Sequence, residues 1–344
     1  MYFYLKMSAP LTPDTLGFIP RGGKGYHGEG CTGVLDEGLL HEESVRRDGG
    51  LTRDGAMRSA SHPRQRTPGP GGDGVTDYNA IAHAYRETKR LPIKQYSEEF
   101  TLFQVLGSVR GLAVLDVACG DGYYTRAIKR QGASRVMGVD SSPTMITYAT
   151  REEEAHPLGI AYVVGEAETM DVLGVFDLVT AAYLLVHATS RDQLAAMCQA
   201  MVKQLKPGGR FVALTINPQL VPDQLPRVEH YHSGVTVRGP LYEGAPLDVT
   251  MLTASGPLHL RDYYWSRATY ESVLHQAGFD RIVWHAMQVS AAGFETYGSA
   301  YWQAYLTHPH IVALEAQRDH DPSGQAEPSA KPLAGRRDPA LRAG

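Results

Sequence analysis

The stretch that decides the fold runs from Val114 to Thr125, VLDVACGDGYYT, an apolar run of strand length that leads through two glycines into a helical pattern. Ala118 to Gly122 reads as a loop poor in side chains, where a ligand can approach the backbone at the carboxyl edge of a sheet. Asp116, near the strand end, gives that loop a sign. A carboxylate there repels a pyrophosphate, but it accepts hydrogen bonds, directly or through water, from an ammonium group or from hydroxyls. A dinucleotide fingerprint would need a third glycine where Thr125 stands. The loop therefore suits a cationic amino-acid ligand. Asp140, 18 residues past Gly122, ends the next strand, where a carboxylate takes both hydroxyls of a ribose.

Working outward, strands are expected at Ala113 to Val117, Arg135 to Val139, Ala161 to Val164, Asp177 to Ala182 and Phe211 to Ile216, with helices between them. Such alternation is the pattern of βαβ units and a doubly wound α/β fold. Two helices precede the first strand, near Tyr78 to Thr88 and Lys94 to Leu106. A helix from Arg191 to Leu205 is expected to stop at LKPGG, where Pro207 and two glycines turn the chain into RFVALTI. Residues 218 to about 257 are polar and turn-rich, with alternating GVTVR and LDVTMLT that suit a small antiparallel ribbon. A helix at Arg267 to Ala277, a strand RIVWHAM, a helix around Tyr297 to Leu306 and a last apolar run HIVALEA complete the folded region.

The flanks differ in composition. Residues 1–76 are rich in Gly, Pro and Arg and lack a sustained period, so they are expected to be a disordered extension, with one short helix near Leu35 to Arg46. A functional tail or an over-extended gene start, with Met57 as an internal start, accounts for it equally. Residues 319–344 have the same character. The folded region is thus expected at 77–318, with 218–265 as an insertion covering a site.

A net charge of −4 over 344 residues gives no large positive field, which argues against nucleic-acid and anionic-membrane partners and for a small molecule. Three scattered cysteines suit a reducing compartment, so the cytoplasm is expected. The chain has neither an apolar run of membrane length nor a signal-peptide pattern at its start.

VLDVACGDG, VMGVDSSPTMI, VVGEAETM, FDLVTAAYLLVH and LKPGGRFVAL, taken in order, resemble the successive motifs of class I methyltransferases that use S-adenosylmethionine. The resemblance covers roughly Ala113 to Ile216 and continues to about Ala316. It implies a seven-stranded, mostly parallel Rossmann-like sheet with N-terminal lid helices, and S-adenosylmethionine as cofactor. By this resemblance Asp116, Ala118, Gly120 and Gly122 border the methionine part, Asp140 with Ser141 the ribose, and Met145 the adenine. Glu166 and Ala167 face the adenine amino edge, while Ala182 and Tyr183 lie near the sulfonium. The family usually has glycine at the position of Ala118. A narrower similarity, carried by DYNAIAHAYRETKRLPIKQYSEEFTLFQVLGSVRG, YYWSRATYESVLHQAGF and WHAMQVS, is to the toxoflavin synthase-like group of small-molecule methyltransferases, which implies N-methylation of a nitrogen heterocycle.

The acceptor is less legible. N- or O-methylation of a heterocyclic or aromatic metabolite, of the kind found in secondary metabolism, is the leading reading. A C-methyltransferase or cyclase on an isoprenoid or indole metabolite, or a non-methylating cofactor-binding protein of the same fold, are the alternatives. A nucleic-acid or protein methyltransferase has only the basic N-terminal tail in its favour. His187, just after the fourth strand, is the candidate base, beside Tyr183 as a candidate catalytic group. Tyr78 and Tyr85, seven apart, share a face of the first helix; by the resemblance that helix folds over the cofactor as a lid, which makes Tyr85 a candidate cofactor contact and Tyr78 a candidate substrate contact. His230 and Tyr264 are the other substrate candidates; Tyr263 and Trp265 flank the latter. His230 and His232 would alternate on a strand, but no carboxylate or cysteine completes a metal set, so no metal is expected.

Overall fold

A computed structural model describes residues 76–320. The expectations for an N-terminal extension through residue 75, including Leu35 to Arg46, and for the chain after His320 lie outside the described residues. The described chain opens with α1 (Tyr78–Thr88), whose first turn is capped by Asp77 accepting from the Asn79 and Ala80 amides. A turn of π-helix (Lys94–Glu98) then leads directly into α2 (Glu99–Leu106).

The central alternation follows as expected: β1 (Ala113–Val117), α3 (Tyr123–Arg130), β2 (Arg135–Asp140), α4 (Pro143–Ala155), β3 (Ala161–Val164), β4 (Phe176–Ala182), α5 (Arg191–Gln204) and β5 (Leu205–Ile216). After these come α6 (Val228–Tyr231), β6 (Ser233–Val237), β7 (Ala245–Thr253), β8 (Gly256–Tyr264), α7 (Arg267–Ala277), β9 (Phe279–His285), α8 (Ala291–Tyr297), α9 (Ser299–Thr307) and β10 (Ile311–Arg318).

Seven strands form one sheet in the order β3-β2-β1-β4-β5-β10-β9, with β10 antiparallel to both of its neighbours. The central parallel strands β1, β4 and β5 are buried on both faces, which is why they read as near-continuous apolar runs, whereas the edge strand β3 is largely exposed. Val114 and Leu115 are both fully buried, Val114 in a core shared with α1, α2 and the insertion, and Leu115 in a core shared with α5 and α7. Sheet order reverses at β1 and β4, and ligands of doubly wound folds bind in the crevice at the strand ends there.

Three local expectations need correction. The helix over Lys94 to Leu106 begins as a π turn, in which Lys94 and Glu98 form a buried ion pair at 2.7 Å. β5 starts at Leu205, because Leu205 pairs with Phe176 before the chain bulges through Lys206 to Gly209 and re-pairs Arg210 with Leu178. Around Tyr297 the chain makes two short helices that meet at Gly298, whose φ of 78° ends the first.

The insertion is a three-stranded antiparallel sheet, β6-β7-β8, one strand more than the expected ribbon. Leu258, Leu260 and Asp262 point inward on β8 at alternate positions, and α1 packs against both β7 and β8.

Candidate functional site

The loop between β1 and α3 is built from left-handed backbone. Ala118, Gly120 and Gly122 have φ of 57°, 57° and 81°, which accounts for the family's preference for glycine where Ala118 stands. The Cys119 amide donates to the Val139 carbonyl at 3.0 Å, tying the loop to β2. A side chain at Gly120 would meet open space, so its backbone faces the crevice.

Asp140 is pinned at the end of β2. One carboxylate oxygen accepts from the Gly120 amide at 2.7 Å and the other from the Ser142 amide at 2.9 Å. Burial raises the carboxyl above its ordinary range, and the two backbone donors oppose that rise. Ser142 in turn caps α4, accepting from the Met145 amide at 3.1 Å, and donates to Asn79 at 2.7 Å, which joins α1 to the loop.

A cavity of about 240 Å³ runs along this edge. Ala118, Gly120, Asp140, Ser141, Met145, Glu166, Ala167 and Ala182 line it, closed on the other side by Tyr78, Tyr85, Tyr183 and His187. Of the expected cofactor positions, Asp116 and Gly122 are not on its wall. Asp116 is 2% exposed under the loop and accepts from Thr125 Oγ1 at 2.6 Å; burial pushes its carboxyl up to about 7. The residue that breaks the dinucleotide fingerprint thus holds the acid beneath the loop. Gly122 caps α3 with its Cα against the ring of Tyr162, where no Cβ fits. A larger groove of about 420 Å³, near Asn217 and Trp284, shares no lining residue with the glycine loop.

Beyond the four ring residues lies a second, small chamber of about 30 Å³ between α1, the insertion and the start of β10. Tyr78, Tyr85, Tyr183 and His187 line both spaces, so they form the neck between them. The Tyr78 and Tyr85 rings meet edge to face at 5.3 Å. Tyr183 stands at a left-handed φ of 71°, and its hydroxyl donates to buried Glu98.

His187 Nε2 lies 3.1 Å from the Tyr78 hydroxyl, and its other side faces the Arg261 backbone and the Asp262 carboxylate, 3.6 Å away. Burial lowers the imidazole to about 4, so at neutral pH it is uncharged and accepts the Tyr78 proton.

Two expected substrate residues are elsewhere. His230 is exposed on the short helix α6, its ring 4.5 Å from that of Tyr301, while His232 takes a left-handed φ of 56° and turns the chain into β6; they do not alternate on a strand. The Tyr264 hydroxyl donates to the Pro218 carbonyl at 2.9 Å, and its neighbour Tyr263 lines the cavity instead. Trp265 is a packing residue, its indole N–H donating to the Ala188 carbonyl at 3.0 Å.

Asp262 and the Lys94–Glu98 pair escaped the sequence reading. A signal existed for Asp262, since the period-2 pattern Leu258, Leu260, Asp262 puts a carboxylate on a buried face.

Residues 114–209 match the family model described as a methyltransferase domain. The chain is 29% identical over 172 residues to the N-demethylindolmycin N-methyltransferase of Streptomyces griseus, covering 49% of this chain and 70% of that protein. It is 37% identical over 112 residues to a ubiquinone biosynthesis O-methyltransferase of Rhodopseudomonas palustris (strain BisB18), covering 33% of this chain and 42% of that protein, so it spans less than half the length of that relative. The CcbJ methyltransferase from Streptomyces caelestis superposes with a TM-score of 0.51 at 19% identity, covering 72% of this chain and 99% of that one, which speaks to the fold. The matched domain, its relatives and the sheet together support a class I S-adenosylmethionine-dependent methyltransferase, with S-adenosylmethionine as its cofactor.

Proposed function

We propose that the chain transfers a methyl group from S-adenosylmethionine to a nitrogen or oxygen of a small heterocyclic or aromatic acceptor. The observation that carries this reading is the neck of Tyr78, Tyr85, Tyr183 and His187, which joins a cavity on the glycine loop to an inner chamber of another chemistry. The cavity has the groups the cofactor needs: open backbone at Gly120, a fixed acceptor at Asp140 and the buried side chain of Met145. In this reading Asp140 takes the ribose hydroxyls, Met145 and Ala167 hold the adenine, and Glu166 faces its amino edge.

The bound cofactor supplies a methyl already activated on a sulfonium, so little covalent chemistry is left to the protein. Its side chains align the acceptor with the methyl and exclude water. The four rings at the neck do both, presenting apolar faces around the reacting line. His187 accepts the Tyr78 hydroxyl proton, which leaves the oxygen lone pairs of Tyr78 free to orient an acceptor N–H or O–H. Nitrogen and oxygen acceptors are both named among the relatives.

We further read residues 77–318 as the catalytic unit, with 218–265 as the acceptor cover, acting in the cytoplasm without nucleic acid. Among the described residues no helix is long and apolar enough to cross a membrane.

Incubation with S-adenosylmethionine and a panel of N–H and O–H heterocycles, followed by mass spectrometry, tests the reading: one acceptor gains about 14 mass units, the mass of a methylene. Cofactor binding without a gain on any compound class would favour the non-methylating alternative.

A further inference from the structure

The buried Lys94–Glu98 pair meets the neck at the side chain of Tyr183. Glu98 is 0% exposed, and its polar contacts end on one oxygen: Oε2 accepts from Lys94 Nζ at 2.7 Å and from the Tyr183 hydroxyl, while Oε1 has no partner among the described residues. The Lys94 ammonium lies 4.1 Å from the centre of the Tyr183 ring, so the pair holds that side chain both at its face and at its tip. Burial, with the Glu98 carboxylate beside it, raises the Tyr183 hydroxyl well above its usual range, which keeps it protonated and donating.

Stability does not account for this arrangement. A buried ion pair is commonly no better than apolar residues of the same volume. The π turn that brings Lys94 and Glu98 to bear on Tyr183 is a rare backbone form, and such turns concentrate at functional sites. Tyr183 adds a cost of its own, a left-handed φ of 71° that side chains disfavour and that persists only where the surroundings fix it. The place so fixed is the first residue after β4, on the wall of the cavity along the glycine loop.

We propose that Glu98, with Lys94 as its counter-charge, is a positioning residue that holds the Tyr183 ring at the neck and so sets the wall of the cofactor cavity on the side of the inner chamber. The inference rests on the methyl-transfer reading above and adds to it a carboxylate that lines neither space. A ring free to turn about its Cα–Cβ bond would widen or block the neck. Tied at its hydroxyl, it cannot turn without breaking a hydrogen bond to a buried carboxylate, which is costly to leave short of partners.

The test compares two variants of the full chain that both remove the charges and differ in one acceptor atom. Lys94→Met with Glu98→Gln leaves the Tyr183 hydroxyl an oxygen to donate to, and Lys94→Met with Glu98→Met leaves it none. Isothermal titration with S-adenosylhomocysteine is expected to show the second variant binding about ten-fold more weakly than the first, the effect of one lost hydrogen bond on the wall it orients. Adding Tyr183→Phe to both should close that gap to about two-fold or less, because no hydroxyl is left to place. Equal affinity of the two double variants, or a gap that survives Tyr183→Phe, gives the pair a structural role only and overturns the inference. Should the Glu98→Met variant not fold, the wild type decides: the Tyr183 hydroxyl proton, assigned by its loss in Tyr183→Phe, is expected as a slowly exchanging NMR resonance with and without S-adenosylhomocysteine, and exchange as fast as that of an exposed tyrosine overturns the inference. A folded wild type that binds no S-adenosylhomocysteine overturns the methyl-transfer reading itself, whereas a wild type that binds it beside two double variants of equal affinity overturns the positioning role alone.

Discussion

At the scale of single residues, the site depends on backbone and protonation that the loop and burial impose. Ala118 holds a φ of 57°, a conformation that costs a side chain about 1 kcal/mol. Ala118→Gly is therefore expected to stabilise the protein by roughly that amount, where the same change in a helix would destabilise it, and a denaturant melt checks the sign. His187 makes a second prediction. With its imidazole lowered to about 4 by burial, its ring resonances should not titrate between pH 5.5 and 8, whereas a midpoint near 6.5 in NMR would show it solvated and charged at mild acidity. Asp116 illustrates the limit of reading a motif by position. Its place at the end of β1 suggested ligand contact, but Thr125, 9 residues on, is close enough to bond it beneath the loop. That pairing depends on how α3 folds back over β1, which spacing alone does not reveal.

At the scale of elements, the central parallel strands and their crossover helices were legible because burial on both faces makes β1, β4 and β5 near-continuous apolar runs and Ser142, Ser190 and Ser266 mark helix starts. β8 was not, since PLHLRDYY carries two charges and looks like polar covering; its register with β7, Leu247 opposite Asp262, is what turns Asp262 inward. The π turn was equally hidden, because Lys94 and Glu98 at a spacing of four suggest a solvated helix pair, while in the fold both are buried. That pair yields a prediction of its own. Lys94→Met strands the Glu98 charge and should cost about 3–5 kcal/mol, and the double variant Lys94→Met with Glu98→Gln should recover most of it, as chemical denaturation would show. A double variant no more stable than the single one would mean that the pair is solvated.

At the scale of the whole molecule, burying carboxylates makes stability depend on pH. Asp262 and Asp116 have folded values of about 7 against an ordinary 3.8, so between those values the folded chain binds more protons than the unfolded one. Stability then falls as pH rises from about 4 to about 7, and these two groups withdraw it fully above that. Asp262→Asn removes one of them, and its melting temperature should exceed that of the wild type at pH 8 and converge with it only below about pH 4, a gain of about 2–4 °C for each kcal/mol recovered. A variant that melts lower at pH 8 would assign Asp262 a structural role. The central claim, that the edge formed by Gly120 and Asp140 is built for S-adenosylmethionine, is tested most directly by isothermal titration of the folded protein with S-adenosylhomocysteine. The account predicts one site of micromolar affinity, about −8 kcal/mol, that is lost in Asp140→Ala. No heat of binding to a well-folded wild type, or full affinity in Asp140→Ala, would contradict it.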